Sequence, residues 1–249
     1  MITTPPLLLP THEAERLHSL QHYDIVHSLQ EEVFDELVVL TASLFRLPVA
    51  YIALVDADQV HHKAVFGFPR ASPRPRAEQM CSLVVKRSQV VVYQDLSLAL
   101  LTPLNTLAVQ KCLAQHIRFY AGAPLRTPEH HIIGTLCLAG PQPREFSLAE
   151  QQLLETIAGV VSQTIVLRSL CRSSGVLGEL RWQDLRTQAR DEVYALGALV
   201  RYLATRYGTP TPVPEEILNP VKRRLHDLST ILQEYDYETC AGSEEVGGD

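Results

Sequence analysis

Arg118-Phe-Tyr-Ala-Gly-Ala-Pro-Leu125, followed shortly by Ile133-Gly-Thr-Leu-Cys137, is the stretch on which the reading turns. Arg118–Leu125 and His131–Ala139 are apolar, β-rich runs of strand length, and the polar turn Thr127–His130 lies between them. Downstream, Ser147 and Glu150 form an S-x-x-E capping box. The box opens a long helix in which Leu153, Ile157, Val160, Thr164 and Leu167 recur on one face. A second stripe, Leu154, Val161 and Ile165, runs beside the first. A helix with two apolar stripes can pack on its own sheet and on a further helix.

Upstream, Val90–Tyr93 reads as a strand, and Glu78–Arg87 as a short amphipathic helix. Between Tyr93 and Arg118 a loop leads into a short helix ending near Ala114. Val49–Val55 is a buried strand, Asp56-Ala-Asp58 a turn, and Val60–Phe66 the returning strand of a hairpin. Pro69–Pro75 is a loop by its prolines and arginines. Before the hairpin, Val33, Leu37, Leu40 and Leu44 mark a helix that ends near Pro48, with Ser28 and Glu31 as its capping box. Thr11 is placed to cap a shorter helix through Leu20, and residues 1–10 form a Pro/Leu-rich tail.

Beyond the long helix, Gly175 and Gly178 weaken helical continuity, which sets a boundary near 172. Ala189, Val193, Leu196, Val200 and Leu203 form another helical stripe. Gly208–Pro214 is a turn, and Val221, Leu225, Leu228, Leu232 and Tyr235 form the last stripe. Two such helices make an antiparallel hairpin, and pairing two hairpins into a four-helix bundle would bury both stripes. The expected organisation is a tail at 1–10, a first domain at 11–172, a helical hairpin for dimerisation or output at 173–238, and a disordered Gly/Glu-rich tail at 239–249.

Composition narrows the function classes. The chain has 249 residues, 46% of them hydrophobic, enough for a sizeable core. A net charge of −6 and the lack of a long basic stretch leave phosphates no electrostatic footprint, so no nucleic-acid partner is expected. Apolar runs such as Val49–Val55 are strand-length, and Leu7, Leu8 and Leu9 lack a charged leader, so neither a membrane span nor a signal peptide is expected. Five scattered cysteines without metal-site spacing read as reduced thiols in a cytoplasmic protein. No Walker loop, G-x-G-x-x-G, G-x-S-x-G or H-E-x-x-H pattern occurs, so no catalytic residue and no metal site is assigned. His226-Asp227-Leu228 superficially matches the phospho-acceptor pattern of histidine kinases, but the short remainder of the chain leaves no room for an ATP-binding domain.

About the first 170 residues resemble a GAF domain of the bacterial sensory subgroup. The resemblance rests on Glu15-Arg-Leu17 with Tyr23-Asp-Ile25, Phe34-Asp35, Val49-Ala-Tyr-Ile-Ala-Leu-Val-Asp56, Lys63 with Gly67, and Met80-Cys81. It continues through Val90-Val-Val-Tyr-Gln-Asp95, Ile117-Arg-Phe-Tyr-Ala-Gly-Ala-Pro-Leu125 and Ile133-Gly-Thr-Leu-Cys137. It implies an α+β fold, a central antiparallel sheet with the terminal helices on one face and a small-molecule pocket on the other, here followed by the helical hairpin. It also implies a non-catalytic sensor of a small molecule or of redox state, with its cofactor unspecified. The pocket residues expected on that basis are His61, Cys81, Asp95, Phe119, Tyr120 and Thr135. Cys81 would sit on a helix rimming the pocket, and Asp95, Phe119, Tyr120 and Thr135 near strand ends. Partners expected are a small-molecule ligand, a signalling protein, and a second copy joined through Leu153, Ile157, Val160, Leu167 and the 185–235 helices. Two other readings stand beside this one. One is a thiol-dependent reductase on the same fold, with Cys81 or Cys112 as nucleophile. The other is a degenerate GAF scaffold for protein interaction, which a pocket filled by its own side chains would favour.

Overall fold

A computed structural model describes residues 9–23, 25–28, 31–70, 72–101, 106–208 and 210–241. The elements run α1 (Glu13–His22), α2 (Ile25–Ser28), α3 (Glu32–Phe45), β1 (Val49–Val55), β2 (Gln59–Phe66), β3 (Arg74–Pro75), α4 (Cys81–Arg87), β4 (Val91–Tyr93), α5 (Thr106–Ala114), β5 (Phe119–Arg126), β6 (Ile132–Gly140), α6 (Leu148–Ser173), α7 (Gly175–Tyr207) and α8 (Glu215–Ala241). The six strands form one antiparallel sheet in the order β3-β2-β1-β6-β5-β4. The fold is thus α+β, a central antiparallel sheet flanked by helices and followed by C-terminal helices. The two-residue β3 falls in the stretch expected as a loop, where Pro75 opposes Gln59 at the sheet edge.

Side chains alternate across the sheet, so each face has its own core. Ala50, Ile52 and Leu54 of β1, Ala121 and Ala123 of β5, and Leu136 and Leu138 of β6 pack toward α3 and α6. Tyr51, Ala53 and Val55, together with Tyr120 and Cys137, pack toward α4 and α5. A bulge in the β1–β2 pairing shifts the register between Ile52 and Ala53. Ala64 consequently faces one core while Val60 faces the other, although they are four positions apart.

The helical face is a bundle closed within one chain. α7 packs on α3 and α6, α8 packs along α6, and α7 and α8 pack on each other. Leu185, Val193, Leu196, Leu203, Leu225, Leu228 and Leu232 are all buried there. So are Leu153, Ile157, Val160 and Leu167, the stripe expected to meet a second copy, so that stripe presents no free surface. A sequence stripe shows that a face must be covered but not whose helices cover it. Gly178 is where α7 turns back on α6: a Cβ there would lie 1.8 Å from the Cys171 carbonyl oxygen. The residue that weakens the helix is thus the one that permits the close approach.

The Ser147–Glu150 capping box forms as the sequence indicates. For the Ser28–Glu31 box, the Ser28 side chain lies outside what the structure describes. α3 starts at Glu32 with Glu31 at its N-cap and no side-chain cap. The Glu31 carboxylate accepts from Arg168 Nε at 2.6 Å and Trp182 Nε1 at 3.0 Å, charge-assisted tertiary bonds. At α1 the N-cap is His12 rather than Thr11. The tail expected from Thr239 begins inside α8, and its remainder, like most of the N-terminal tail, lies outside the described residues. Among the described residues one helix, α6, is long and apolar enough to cross a membrane, a length the strand-sized runs did not suggest. Most of its apolar window is buried against the sheet and the bundle.

Candidate functional site

The α4 face of the sheet carries a closed group of polar side chains. Period-two alternation sends Tyr51 from β1, Tyr120 from β5, and Thr135 and Cys137 from β6 to this face, and Cys81 opens α4 above them. Tyr120 Oη lies 3.2 Å from Cys137 Sγ, and Cys137 donates to Thr135 Oγ1 at 3.1 Å. Cys81 Sγ lies 3.8 Å from Cys137 Sγ and 4.0 Å from Tyr51 Oη. All five side chains are buried. Gly122 leaves room for them, since a Cβ there would lie 2.6 Å from Tyr120 Oη and 2.8 Å from Val84 Cγ2. Burial pushes the Tyr51 and Tyr120 phenols and the Cys137 thiol well up, so they stay protonated. The hydrogen bond from Cys137 favours the charged form of Cys81 and draws its pKa down against the opposing effect of burial, with smaller contributions from Thr135, Tyr51 and Tyr120. Cys81, Cys112, Cys137 and Cys171 are free thiols.

Beside this group opens a cleft of about 340 Å³. Its aromatic wall is Tyr51, His62 and Phe68, with ring centroids 5.1 to 5.7 Å apart. Met80 and Cys112 line it from α4's approach and α5, while Arg74, Glu78 and Lys111 line its polar side. Lys111 Nζ lies 3.4 Å from Glu78. Burial pushes the Cys112 thiol up to about 12, with Cys81 adding to the shift. His62 Nδ1 is buried without a hydrogen-bond partner. Desolvation, then the charges of Arg74 and His61, lowers the His62 pKa to about 4. The imidazole is therefore neutral at pH 7, and its Nδ1 is an unused hydrogen-bonding group.

That depression carries a stability signature. The unfolded chain protonates this histidine near 6.5 and the folded chain near 4, so the unfolded state binds more protons between those values. Stability is full above 6.5 and falls by up to roughly 3 kcal/mol as pH drops to 4. His62→Phe is expected to flatten this limb in urea unfolding measured at stepped pH. An unchanged slope would show that His62 does not carry it.

The expected pocket residues divide. Cys81, Tyr120 and Thr135 come together with Tyr51 and Cys137. Phe119 does not join them: it faces the opposite core and packs on Phe146 with ring centroids 5.6 Å apart. Adjacent strand residues point to opposite faces, so Phe119 and Tyr120 cannot both enter one pocket. His61 pairs across from Leu54, which faces the helical layer, whereas His62 pairs with Ala53 and lines the cleft. His61 Nε2 lies 4.0 Å from Asp56. Asp95 holds the β4 end rather than the cleft, accepting from Ser97 Oγ at 2.7 Å and Arg118 Nη2 at 2.6 Å, bonds that lower its pKa. Tyr51, His62 and Phe68 were missed. Alternation from Thr135 points to Cys137, but the bulge hides which of the paired histidines faces inward. Among the described residues, no three His, Cys, Asp or Glu side chains gather as a metal site.

Comparison with known proteins places this architecture. The GAF domain family model matches residues 30–165, from the start of α3 into α6. The chain is 30% identical over 189 residues to a cyclic di-GMP phosphodiesterase of Pseudomonas aeruginosa, a match covering 74% of this chain and 31% of that protein. It therefore spans about a third of that relative's length. Among solved structures it is similar to the GAF domain of an Acinetobacter phosphoenolpyruvate-protein phosphotransferase, at 19% identity and a TM-score of 0.43 over 61% of this chain and 93% of that one. It is also similar to a free methionine-R-sulfoxide reductase of Neisseria meningitidis in complex with its substrate, at 17% identity and a TM-score of 0.44 over 60% and 87% of the two chains. With the family match covering more than half of its length, the chain belongs to the GAF domain family.

Proposed function

We propose that this chain is a non-catalytic, cytoplasmic regulatory module that binds a small molecule in the cleft beside Tyr51, His62 and Phe68 and passes the change through α6 to the bundle. The observation that carries this reading is the buried, unpartnered His62 Nδ1 in the wall of a cleft of about 340 Å³. That volume falls in the range of small-molecule sites, and apolar walls with a few convergent polar groups are their usual chemistry. The ligand class is a small planar molecule with a hydrogen-bonding group for Nδ1 and an anionic group for Arg74 and Lys111. Any shift in the bundle is limited by the ligand's different affinities for the two arrangements. The likeness to part of a cyclic di-GMP phosphodiesterase supports an enzyme of nucleotide turnover as the output partner.

Native mass spectrometry of the freshly purified chain tests this. The expected result is a species heavier than the polypeptide by a small-molecule mass, lost on mild activation and absent from His62→Ala at an unchanged circular dichroism spectrum. A bare wild-type mass would count against the sensor. The same spectrum reads oligomeric state, for which Val176, Leu177 and Leu180, exposed at the start of α7, are the proposed contact in place of the buried stripe.

One competing reading has its own support. Tyr51, Cys81, Tyr120, Thr135 and Cys137 fill the space under α4 themselves, as a degenerate scaffold would. The bare mass is the outcome that reading requires. For a thiol reductase, a Cys112 pKa of about 12 disfavours that thiol near neutrality and leaves Cys81 as the nucleophile the reading would need. Turnover of free methionine sulfoxide with a dithiol would restore that reading.

A further inference from the structure

The two buried sulfurs under α4 have a geometry that ligand binding does not use. Cys81 and Cys137 are 56 positions apart in sequence, yet their Sγ atoms touch at 3.8 Å. A disulfide needs about 2.05 Å, so the pair is within about 2 Å of bonding distance. The elements that carry them are distinct: Cys81 begins α4, and Cys137 is on the central strand β6. A bond between them would fasten the helix over the pocket face to the middle of the sheet.

We propose that Cys81 and Cys137 are a redox pair, oxidised by a small hydroperoxide to an intramolecular disulfide that ties α4 to β6. The Cys81 sulfur attacks the terminal peroxide oxygen and the O–O bond breaks. The remainder leaves as alcohol, or as water when the oxidant is hydrogen peroxide, and Cys81 becomes a sulfenic acid. The Cys137 sulfur then attacks the Cys81 sulfur, the S–O bond breaks, and the departing oxygen takes the Cys137 proton and leaves as water. Two thiols together lose two electrons and two protons, and one hydroperoxide gains them.

The surroundings fix the order of attack. Cys81 is the member whose charged form its neighbours favour, Cys137 first among them, while burial keeps the Cys137 proton in place until the second step. The oxidant's route is short. Tyr51, whose Oη lies 4.0 Å from Cys81 Sγ, and Met80, the residue before Cys81, both line the neighbouring cleft. A single layer of side chains therefore separates the sulfur from solvent-accessible space. Cys112 also lines the cleft, but its raised pKa makes it the poorer nucleophile. The proposal does not depend on a bound ligand.

The test treats the full native chain with hydrogen peroxide, removes the oxidant, and alkylates with N-ethylmaleimide in denaturant without reductant. Two alkylation sites should disappear, and trypsin should release residues 77–86 joined to residues 127–144. Dithiothreitol should restore both sites. Cys112→Ser should behave as wild type, and His62→Ala should also form the link, which separates this proposal from ligand binding. In Cys137→Ser the Cys81 sulfenic acid should be trapped by dimedone with no linked peptide. If that variant does not fold, the wild-type peptide map decides. Full alkylation of Cys81 and Cys137 in peroxide-treated native protein would overturn the proposal. So would a linked peptide that forms only in chains unfolded before oxidation.

Discussion

Glu150→Ala is expected to lower stability by about 3–5 kcal/mol, measured as a fall in the urea midpoint. The Glu150 side chain is wholly buried and joins the loop before α6 to the turn between α7 and α8. It accepts from the Ser147 amide at 2.8 Å, completing the cap of α6. It accepts from Arg144 Nη2 at 2.6 Å, and that guanidinium lies over the rings of Phe119 and Phe146, 5.7 and 5.1 Å from their centroids. It also accepts from the Val213 amide at 3.0 Å, in the turn between α7 and α8. Alanine leaves a buried cation without its counter-charge and two amides without acceptors, whereas a lost cap alone costs only about 1 kcal/mol. Glu150→Gln keeps an acceptor and removes the charge, so a smaller loss is expected. Hydrogen exchange at Val213 should quicken in Glu150→Ala. A stability change under about 1 kcal/mol would show that the turn is held by packing alone.

The second large effect is expected at Glu13. Its carboxylate accepts from Arg16 Nε at 2.9 Å and Nη2 at 2.8 Å, and it also binds Arg76. Both arginines are buried, Arg76 completely. Arg16 donates further to the Val55 carbonyl at 2.6 Å, and Arg76 to those of Asp56 and Ala57. These bonds fix α1 across the end of the β1–β2 hairpin. Glu13→Ala leaves two enclosed like charges with carbonyl partners only, and a loss of about 3–5 kcal/mol is expected. The pH dependence supplies an independent check. Burial raises the Glu13 pKa, but the bonds and charges of Arg16 and Arg76 outweigh it, so the net shift is below the ordinary 4.5. Its contribution is therefore full above 4.5 and is lost as pH falls through the lowered folded value. Glu13→Ala should flatten that acid limb, and a limb as steep as wild type would assign it to other carboxylates.

Local pattern carried most of the fold. The strand runs at Val49, Arg118 and His131, the capping box at Ser147 and the stripes from Ala189 and Val221 lie on the observed elements to within a few residues. Their signals are short-range, set by periodicity and a cap three residues long. What was not legible depends on contacts distant in sequence. Glu31 reads as a capping residue, and its neighbours in sequence give no sign of its bonds to Arg168 and Trp182. The stripe on α6 looks like a dimer seam until α8 folds along it. In the site the same limit holds: Cys81, Tyr120 and Thr135 could be gathered from motif positions. The choice of His62 over His61, by contrast, depends on a one-residue bulge that no local pattern announces.

Strand β6 lies between β1 and β5 with both of its surfaces enclosed, Thr135 and Cys137 toward α4 and Leu136 and Leu138 toward α6. It has no compliant side. A slip of one residue would exchange the thiol for leucine and invert both interiors at once, so its register is fixed. Motion perpendicular to the sheet remains possible, and close-packed interiors conduct displacement with little loss. Under the proposed function, a displacement of Cys137 toward α4 is expected to draw its two leucine neighbours away from α6, so this strand is the route by which the pocket side would reach the bundle.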